Sequence, residues 1–309
     1  MKRDHEVIVI GGGAAGLAAA VALGRSCRSV LVIDSGEPRN APANGIHNFL
    51  SLEGVAPGDL LKAGRAEVEQ YGGEIRAGRA IGAEQLTEGF AVTLEDGDRV
   101  TGRRLVVTTG LVDELPDVEG LRERWGRDVL HCPYCHGWEV RGQAIAVLGV
   151  GTGSVHQALL FSQLTDDLTL VTHTFVPDVE SRRLLAAAGV TVVDGRVQSV
   201  EVEDDAVTGL RLDDGRMVPA TAITVATYMR ARSGVLTSLG IETVPHPSGM
   251  GEHVVVDEMR QTSVPGVYAA GNVTDLSAQV MGAAAAGTMA GALANLDLVM
   301  SDTREKVVA

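Results

Sequence analysis

The stretch VIVIGGGAAG, Val7 to Gly16, decides the fold prediction. A short run of β-branched residues ends at three glycines, and an Ala- and Leu-rich segment, LAAAVALG, follows from Leu17. This pattern predicts the strand, tight turn and helix of a dinucleotide site. Gly11 would make the turn, Gly13 would let a pyrophosphate approach the backbone, and Gly16 would let helix and strand pack closely.

The rest of a nucleotide-binding unit follows, and the unit is repeated. A second strand, SVLVID, ends at Asp34, 23 residues after Gly11, where a carboxylate can bind the hydroxyls of a ribose. The pattern returns at QAIAVLGVGTGS, residues 143–154, with Gly149, Gly151 and Ser154 at the three turn positions. A helix and a strand follow there too, so the chain contains the unit twice.

Two further segments, LVVTTG at 105–110 and VPGVYAAGN at 264–272, predict strands that close on a glycine turn. The second leads into an Ala-rich helix from about Ser277. We therefore predict an α/β protein with two Rossmann-like, three-layer nucleotide-binding domains, the second inserted into the first. The predicted first domain comprises residues 1–112 and 243–309, and the inserted domain comprises residues 113–242.

Composition excludes several classes of protein. A formal net charge of -14 works against nucleic-acid binding, and three cysteines do not make a secreted disulfide scaffold. Asp4 and Glu6 interrupt a signal-like N-terminus, while Asn295 and Asp297 interrupt the apolar run at 280–300, which predicts a buried helix and no membrane span. We expect a cytoplasmic protein. The isolated Cys27 is expected to pack between the first helix and the next strand.

The stretch HCPYCHGWE, His131 to Glu139, holds the other two cysteines and suggests three kinds of chemistry. A metal site would need adjacent residues to converge on one ion, and no second Cys or His pair exists to complete it, so we expect no metal. A structural disulfide would close a two-residue loop and constrain little. Redox exchange by Cys132 and Cys135 is the favoured interpretation.

These elements in this order, with CPYC just before the second glycine turn, resemble the low-molecular-weight thioredoxin reductase family of flavoproteins. The resemblance implies that the first and last segments hold FAD, that the inserted domain holds NADPH, and that the dithiol meets the flavin ring. The FAD site implied in this way comprises Gly11, Gly13, Ala14, Ala15, Asp34, Ser35, Arg39, Asn40, His47, Asn48, Thr109, Gly110, Gly271, Asn272, Gln279 and Val280. Asn272 stands where the family usually has Asp, and an amide can still hydrogen-bond a ribityl hydroxyl.

The resemblance also assigns the sulfurs: Cys135 faces the flavin and Cys132 forms a mixed disulfide with substrate. The reductases usually place Asp directly after the second Cys, whereas this chain has His136, with His131 before the first Cys. A histidine titrates near neutrality and can take a proton from an incoming thiol, which suits thiol oxidation. The alternative is that either histidine is only a polar loop residue.

The inserted domain lacks the residues that grip NADPH in the reductases. The position equivalent to Asp34 is Thr172, and only His173 matches the H-R-R-x-x-x-R run that the reductases carry here. Arg182 and Arg183 come ten residues later and are expected to lie on an exposed helix face. The sequence therefore argues against NADPH binding.

Two departures from the reductases, the His after the second Cys and the missing NADPH-gripping residues, are found together in one branch of the family. This branch is the FAD-dependent dithiol oxidases that close disulfides in natural products such as holomycin, gliotoxin and romidepsin. We therefore predict a homodimeric FAD enzyme that oxidises a small-molecule dithiol with oxygen, producing hydrogen peroxide; the dimer is implied by the resemblance. One alternative is a thioredoxin-disulfide reductase that uses NADPH or another donor such as ferredoxin. Another is a non-catalytic, flavin-binding redox sensor.

Overall fold

The computed structural model describes residues 4–308. In chain order the strands are β1 (His5–Ile10), β2 (Val30–Asp34), β3 (Glu74–Ala77), β4 (Ala80–Gln85), β5 (Phe90–Leu94), β6 (Arg99–Val107), β7 (Leu111–Glu114), β8 (Val129–Leu130), β9 (Ile145–Leu148), β10 (Leu168–Val171), β11 (Thr191–Val193), β12 (Val197–Glu203), β13 (Ala206–Leu212), β14 (Met217–Pro219), β15 (Ala222–Val225), β16 (Tyr228–Ala231), β17 (Thr243–Pro245), β18 (Gly251–Val254) and β19 (Val267–Ala269). The helices are α1 (Ala14–Arg25), α2 (Pro57–Gln70), α3 (Pro133–His136), α4 (Thr152–Phe161), α5 (Val179–Ala187), α6 (Gly234–Thr237) and α7 (Val280–Val308), with a 3-10 helix at Gly271–Val273.

The chain forms two compact units. The first unit comprises the residues up to Ala41, Val55–Val112 and the residues from Met229 onward. The second unit comprises Pro42–Gly54 and Asp113–Tyr228. Each unit carries one of the two glycine turns, so the sequence repeat corresponds to two separately packed structures.

The first unit is built on a seven-stranded sheet with the order β3-β2-β1-β6-β5-β4, and β19 also pairs with β6. The pairs β3-β2, β2-β1, β1-β6 and β19-β6 are parallel, whereas β4 and β5 add an antiparallel edge. Parallel strands end at the same edge of a sheet, so the loops after β1, β2, β6 and β19 gather there.

The two faces of this sheet bury different side chains, because successive residues of a strand point to opposite sides. Ile8 and Ile10 join the core cluster that contains Phe90 of β5, while Val7 and Val9 join the cluster beneath the helices α1 and α7. All four are at most 3% exposed. Burying each such aliphatic side chain stabilises the fold by roughly 1.5–3 kcal/mol.

Helix α7 is long and apolar enough in composition to cross a membrane, and one of its faces packs against α1. Ala290, Ala294 and Leu298 are fully buried in the cluster that includes α1. Gly287 and Gly291 let the two helices approach closely: a Cβ at Gly287 would lie 1.9 Å from the carbonyl oxygen of Ala15. The helix begins at Val280, three residues after the predicted start at about Ser277.

The second unit has a five-stranded parallel sheet with the order β11-β10-β9-β15-β8. Ile145 and Val147 of β9 face the layer of α4 and α5, and Ala146 and Leu148 face a three-stranded antiparallel sheet formed by β12, β13 and β14. Helices, parallel sheet and antiparallel sheet make three layers. The α/β class and the two Rossmann-like domains predicted from the sequence are thus the observed architecture.

The observed units differ from the predicted domain boundaries at two places. The first unit resumes at Met229 and not at residue 243, because Met229 pairs with Gly251 of β18, and Val235 and Leu236 join the core cluster that contains Ile8. The segment Pro42–Gly54, predicted to lie in the first domain, groups with the second unit. Its contacts with the Cys motif, described below, are the reason.

Candidate functional site

The Cys pair lies on a single helical turn in the second unit. Strand β8 ends two residues before Cys132, which precedes α3 with an extended backbone (φ -100°, ψ 121°), and Pro133 opens the helix. The backbone N–H of Cys135 donates to the carbonyl of Cys132, and this turn brings the two Sγ atoms to 2.6 Å. Both side chains are partly accessible. The pair can therefore exchange a disulfide without a change of backbone.

His136 ends the same turn, and its imidazole is placed to act as a base. Its Nε2 atom is buried and has no hydrogen-bond partner among the described residues. Burial lowers the pKa of His136, the charge of His47 lowers it further, and Glu139 opposes both. A neutral imidazole with an unpartnered nitrogen, on the same turn as two cysteines, can accept a proton from a thiol.

The segment Pro42–Gly54 contributes His47 and Asn48 to this site. The Nδ1 of His47 is 2.6 Å from Glu53 Oε1, and its Nε2 is 3.5 Å from Glu139 Oε1. Asn48 has a left-handed backbone (φ 59°), and its amide donates to the carbonyl of Tyr134 at 2.5 Å. Both residues were predicted as FAD ligands; the structure places them against the Cys turn, and contact with FAD stays a prediction.

His131 fastens the start of the Cys loop to the sheet. Its Nδ1 donates to the carbonyl of Val225 at 3.1 Å, and its own carbonyl accepts a hydrogen bond from the Gln157 amide. This geometry favours an anchoring role for His131, whereas His136 has a nitrogen available for chemistry. Gln157 was missed from the sequence, although a buried polar residue in the apolar run VHQALLF is a usable signal.

The first glycine turn has the geometry of a pyrophosphate cradle. Gly11 adopts φ +108°, and a Cβ there would lie 2.5 Å from the carbonyl oxygen of Thr108. A Cβ at Gly16 would lie 1.8 Å from the Gly11 carbonyl oxygen, whereas a Cβ at Gly13 would meet nothing within 4 Å. No described side chain caps the start of α1, at Ala14 and Ala15, so its first N–H groups can bind an anion.

Asp34 is held beside this turn at the end of β2. Its Oδ1 accepts from the backbone N–H of Gly12 at 3.1 Å and of Gly36 at 3.3 Å, and its Oδ2 forms a 2.7 Å ion pair with Arg65. Ser35 follows it directly. The carboxylate is thus fixed next to the cradle, where a ribose would lie. Arg65 could not be found from the sequence, because it comes from α2, far along the chain.

The other predicted FAD residues of the first unit form its loops. Thr109 donates to the carbonyl of Arg232 at 2.6 Å, and the Gly110 carbonyl accepts from the Arg232 backbone. Arg39, next to Asn40, contacts the sulfur of Met229 at 3.6 Å. Gly271 (φ +77°) opens the 3-10 helix, and Gln279 and Val280 lead into α7.

Asn272 has a defined role in that last turn. Its Nδ2 donates to the carbonyls of Asp275 at 3.0 Å and Ala278 at 2.9 Å. Both amide hydrogens are therefore used to close the turn before α7. The Oδ1 atom is left as the acceptor that can meet a ribityl hydroxyl, and an Asp could not make the same two donations.

The second glycine turn keeps the open space at Gly151 and the uncapped helix start of a pyrophosphate cradle, but the residues beyond it offer little to a ribose or a 2'-phosphate. Thr172 is 4% exposed, and its hydroxyl accepts from the Gly195 backbone. Burial and the neighbouring Arg196 lower the pKa of His173, whose Nδ1 accepts from the Val197 backbone. A neutral, hydrogen-bonded imidazole does not attract a phosphate.

The arginines near this turn do not make a phosphate clamp. Arg182 pairs with Asp194 at 2.8 Å, and Arg183 lies 3.9 Å from Glu180. Arg196 adds a single guanidinium next to His173. A 2'-phosphate is usually gripped by converging cations, so this arrangement does not favour NADPH. Within residues 4–308, no group of three or more His, Cys, Asp or Glu side chains is arranged to hold a metal ion.

Two glycine turns that each open a helix after a parallel strand, together with a Cys pair on its own turn, define a dinucleotide-binding thiol/disulfide oxidoreductase. The family model for pyridine nucleotide-disulphide oxidoreductases matches residues 5–290. The chain belongs to this family. The resemblance inferred from the motifs is therefore confirmed.

Similar proteins include the thioredoxin reductase tcpT of Claviceps purpurea (strain 20.1), which is 32% identical and is matched over 98% of this chain and 97% of its own length. The thioredoxin reductase sirT of Leptosphaeria maculans is 30% identical over 96% of this chain and 95% of its own length. Among solved structures, HlmI superposes with a TM-score of 0.92 and 43% identity, covering 98% of this chain and 95% of HlmI.

The cofactor of this flavoprotein family is FAD, and the residues of the first unit fit it. The open space at Gly13, the uncapped start of α1 and the fixed carboxylate of Asp34 provide a phosphate cradle and a ribose acceptor. These features belong to the chain itself and agree with the cofactor prediction. The chain is accordingly an FAD-containing thiol/disulfide oxidoreductase.

Proposed function

We propose that this protein is an FAD-dependent dithiol oxidase, which closes an intramolecular disulfide in a small-molecule dithiol and uses oxygen as the final acceptor. The observation that carries the proposal is His136, a half-buried neutral imidazole whose buried Nε2 has no partner among the described residues, on the same turn as the Cys pair. Thiol oxidation must remove two protons, and a neutral base is suited to take them. An acid would serve the reverse reaction.

The residues of the chain supply the following steps. His136 takes the proton of one substrate thiol, and the resulting thiolate attacks Cys132 Sγ of the closed pair, so that Cys135 leaves as a thiolate. The second substrate thiol loses its proton and attacks the substrate sulfur of the mixed disulfide, which releases Cys132 as a thiolate and the product as a cyclic disulfide. Two electrons have then moved from the substrate to the Cys pair. FAD, held by the cradle at Gly11 and Gly13 and by Asp34, would supply the two-electron acceptor for this pair, with oxygen as the final oxidant and hydrogen peroxide as its product.

The second glycine turn supports an oxidase that works without NADPH. Thr172 and His173 bond to backbone N–H groups, and Arg182 is paired with Asp194. An electron donor with a 2'-phosphate would therefore meet few available cations. If the dithiol itself supplies the electrons, such a donor is not required.

Exposed aromatic side chains beside the Cys pair suit an apolar substrate of small size. Tyr134, between the two cysteines, is 62% exposed, and Trp138, on the following turn, is 65% exposed with Arg141 stacked on its ring. Aromatic faces bind apolar and π-containing ligands well. We propose that the substrate is a dithiol carried on a small apolar or π-containing scaffold.

The second candidate function is that of a thioredoxin-disulfide reductase, which the names of the relatives tcpT and sirT favour. In that reaction electrons flow from a donor through FAD and the Cys pair to a protein disulfide. The two functions use the same residues of the site. They differ in whether a separate electron donor is needed. The direction of electron flow therefore distinguishes them.

We also propose that the protein is a homodimer in the cytoplasm. The dimer is what the resemblance to the low-molecular-weight thioredoxin reductases implies. The compartment is proposed because a chain with three cysteines, two of them in one C-x-x-C, suits a reducing environment.

The test is to mix the FAD-loaded protein, without oxygen, separately with dithiothreitol and with NADPH, and to follow bleaching of the flavin absorbance. The proposal predicts fast bleaching by the dithiol, slow or no bleaching by NADPH, and loss of dithiol bleaching in Cys135→Ser. Fast bleaching by NADPH together with indifference to dithiols would establish the reductase. A protein that responds to neither reagent would fit a redox sensor.

A further inference from the structure

His47 is the side chain of the segment Pro42–Gly54 that faces the base. Its two ring nitrogens point at two different carboxylates, with Nδ1 2.6 Å from Glu53 and Nε2 3.5 Å from Glu139. The second oxygen of Glu53 accepts from the backbone N–H of Asn48 at 2.9 Å, which fixes the carboxylate. The hydrogen bond from His47 lowers the pKa of Glu53. The ring is therefore held from both sides by anions.

The held ring lies edge-on to the ring of His136. The ring centroids are 6.4 Å apart and the planes are inclined by 79°. The charged groups that act on His136 are His47 from this segment and Glu139 from the following turn, beside the thiols of its own motif. His47 opposes a positive charge on His136, whereas Glu139 favours it. The two neighbours thus act in opposite directions on one imidazole.

These contacts contribute little to stability. The side chains of Glu53 and Glu139 are 65% and 42% exposed, and water screens ion pairs at such positions. The imidazole of His136, in contrast, is half-buried with its Nε2 atom out of contact with solvent, where a nearby charge is screened less. The larger effect of the arrangement is thus on the proton affinity of His136.

We propose that His47, held between Glu53 and Glu139, is a positioning residue that sets the protonation state of the base His136. The inference rests on the proposed function, in which a substrate thiol gives its proton to His136 Nε2 while its sulfur bonds to Cys132 and Cys135 leaves with the electron pair. His47 exchanges no atom in this step. It keeps His136 neutral until the thiol arrives, and Glu139 then stabilises the imidazolium that forms.

The test compares pH profiles of flavin reduction by dithiothreitol, measured in a single turnover, for the wild type and two variants. In His47→Gln, the acid limb of the profile moves to higher pH, because the interaction with His47 that lowers the pKa of His136 is lost. In Glu139→Gln it moves to lower pH, because the anion that favours the imidazolium is gone and Glu53 still holds His47. His156→Gln, on the exposed face of α4 in the same unit, leaves the profile unchanged.

A second readout does not depend on turnover. The ring nitrogens of His136 are titrated by NMR in histidine-labelled protein, with the signal assigned from its loss in His136→Gln. The midpoint should move in His47→Gln and Glu139→Gln in the same opposite directions as the rate profile.

Three outcomes would overturn the claim about His47 or separate it from the proposed function. A uniform loss of rate in His47→Gln, without movement of the limb or of the NMR midpoint, means that His47 is only structural. Shifts of both variants in one direction contradict the assigned charges. If dithiols do not reduce the wild type at any pH, the proposed function fails, and the NMR titration still decides the role of His47.

Discussion

At the scale of single residues, His136 is the group on which thiol oxidation depends most. The substitution His136→Ala removes the base and changes no residue of the pyrophosphate cradle in the first unit. General-base catalysis is worth roughly 10²–10⁴-fold, so we expect flavin reduction by a dithiol to slow by about that factor. Stopped-flow bleaching of the flavin measures the rate, and the absorbance of bound FAD measures its retention.

His156→Ala is the matched control, since it removes an exposed histidine from the same unit. Its rate should equal that of the wild type. Unchanged kinetics in His136→Ala would show that His136 is only a polar loop residue, which would leave the oxidation without its base.

The lowered pKa of His136 also predicts how stability depends on pH. Burial lowers this pKa in the folded state, so below the ordinary histidine value of about 6.5 the unfolded chain binds more protons than the folded chain. The free energy of unfolding is therefore unaffected by this group above that value and decreases as the pH falls through it. His136→Asn should lose less stability over the same interval, as measured by urea unfolding at equal FAD loading. Equal losses in both proteins would mean that the folded imidazole is not kept neutral.

The sequence predicted some of these residues and not others, for a physical reason. His136 and the Cys pair are neighbours in the chain, so their proximity is already present in HCPYCH. Gln157 reaches the motif only through a tertiary contact with the His131 carbonyl, and neither local spacing nor composition encodes such a contact. The role of His47 beside the base was missed for the same reason.

At the scale of elements, the contact of α1 with α7 connects core packing to the cofactor. The Ala15 carbonyl lies 1.9 Å from where a Cβ of Gly287 would be. Gly287→Ala must therefore move α7 or the start of α1, where the phosphate cradle lies, and overpacking of this kind costs roughly 1–3 kcal/mol. We expect a melting temperature lower by several degrees and weaker retention of FAD, measured by thermal unfolding and by the flavin content after gel filtration.

Gly282→Ala is the control on the same helix. A Cβ there meets nothing within 4 Å, and Ala is favoured over Gly in a helix by up to about 1 kcal/mol, so stability should be equal or slightly higher. If Gly287→Ala behaves like Gly282→Ala, the helices do not pack as closely as described.

Most helices and strands could be predicted from the sequence, because the spacing of hydrophobic residues and the positions of glycines specify them within short segments of the chain. Both glycine turns follow their strands directly, at Ile10 and Leu148. The return to the first unit at Met229 could not be predicted, because β16 has only four residues and its pairing with β18 is a long-range choice. The grouping of Pro42–Gly54 with the second unit likewise depends on contacts of His47 and Asn48.

At the scale of the whole molecule, the exposed face of α7 is a candidate for the proposed dimer contact. Met281, Met289, Leu296 and Met300 recur at helical spacing and are each about half exposed. An apolar stripe of this length on one helix face is typical of an interface. We expect Met289→Lys combined with Met300→Lys to shift the protein from dimer to monomer in sedimentation velocity, with FAD still bound. A dimer that persists in this variant would place the contact elsewhere.

The central claim is that electrons flow from a small dithiol to oxygen, and the ratio of products to oxygen tests it most directly. Oxygen uptake, hydrogen peroxide and cyclic disulfide are measured together while the FAD-loaded protein turns over dithiothreitol without NADPH. The account predicts one oxygen consumed and one hydrogen peroxide formed for each disulfide, at a rate that depends on Cys132, Cys135 and His136. Oxygen uptake that begins only when NADPH is added, with no disulfide formed from the dithiol, would contradict it.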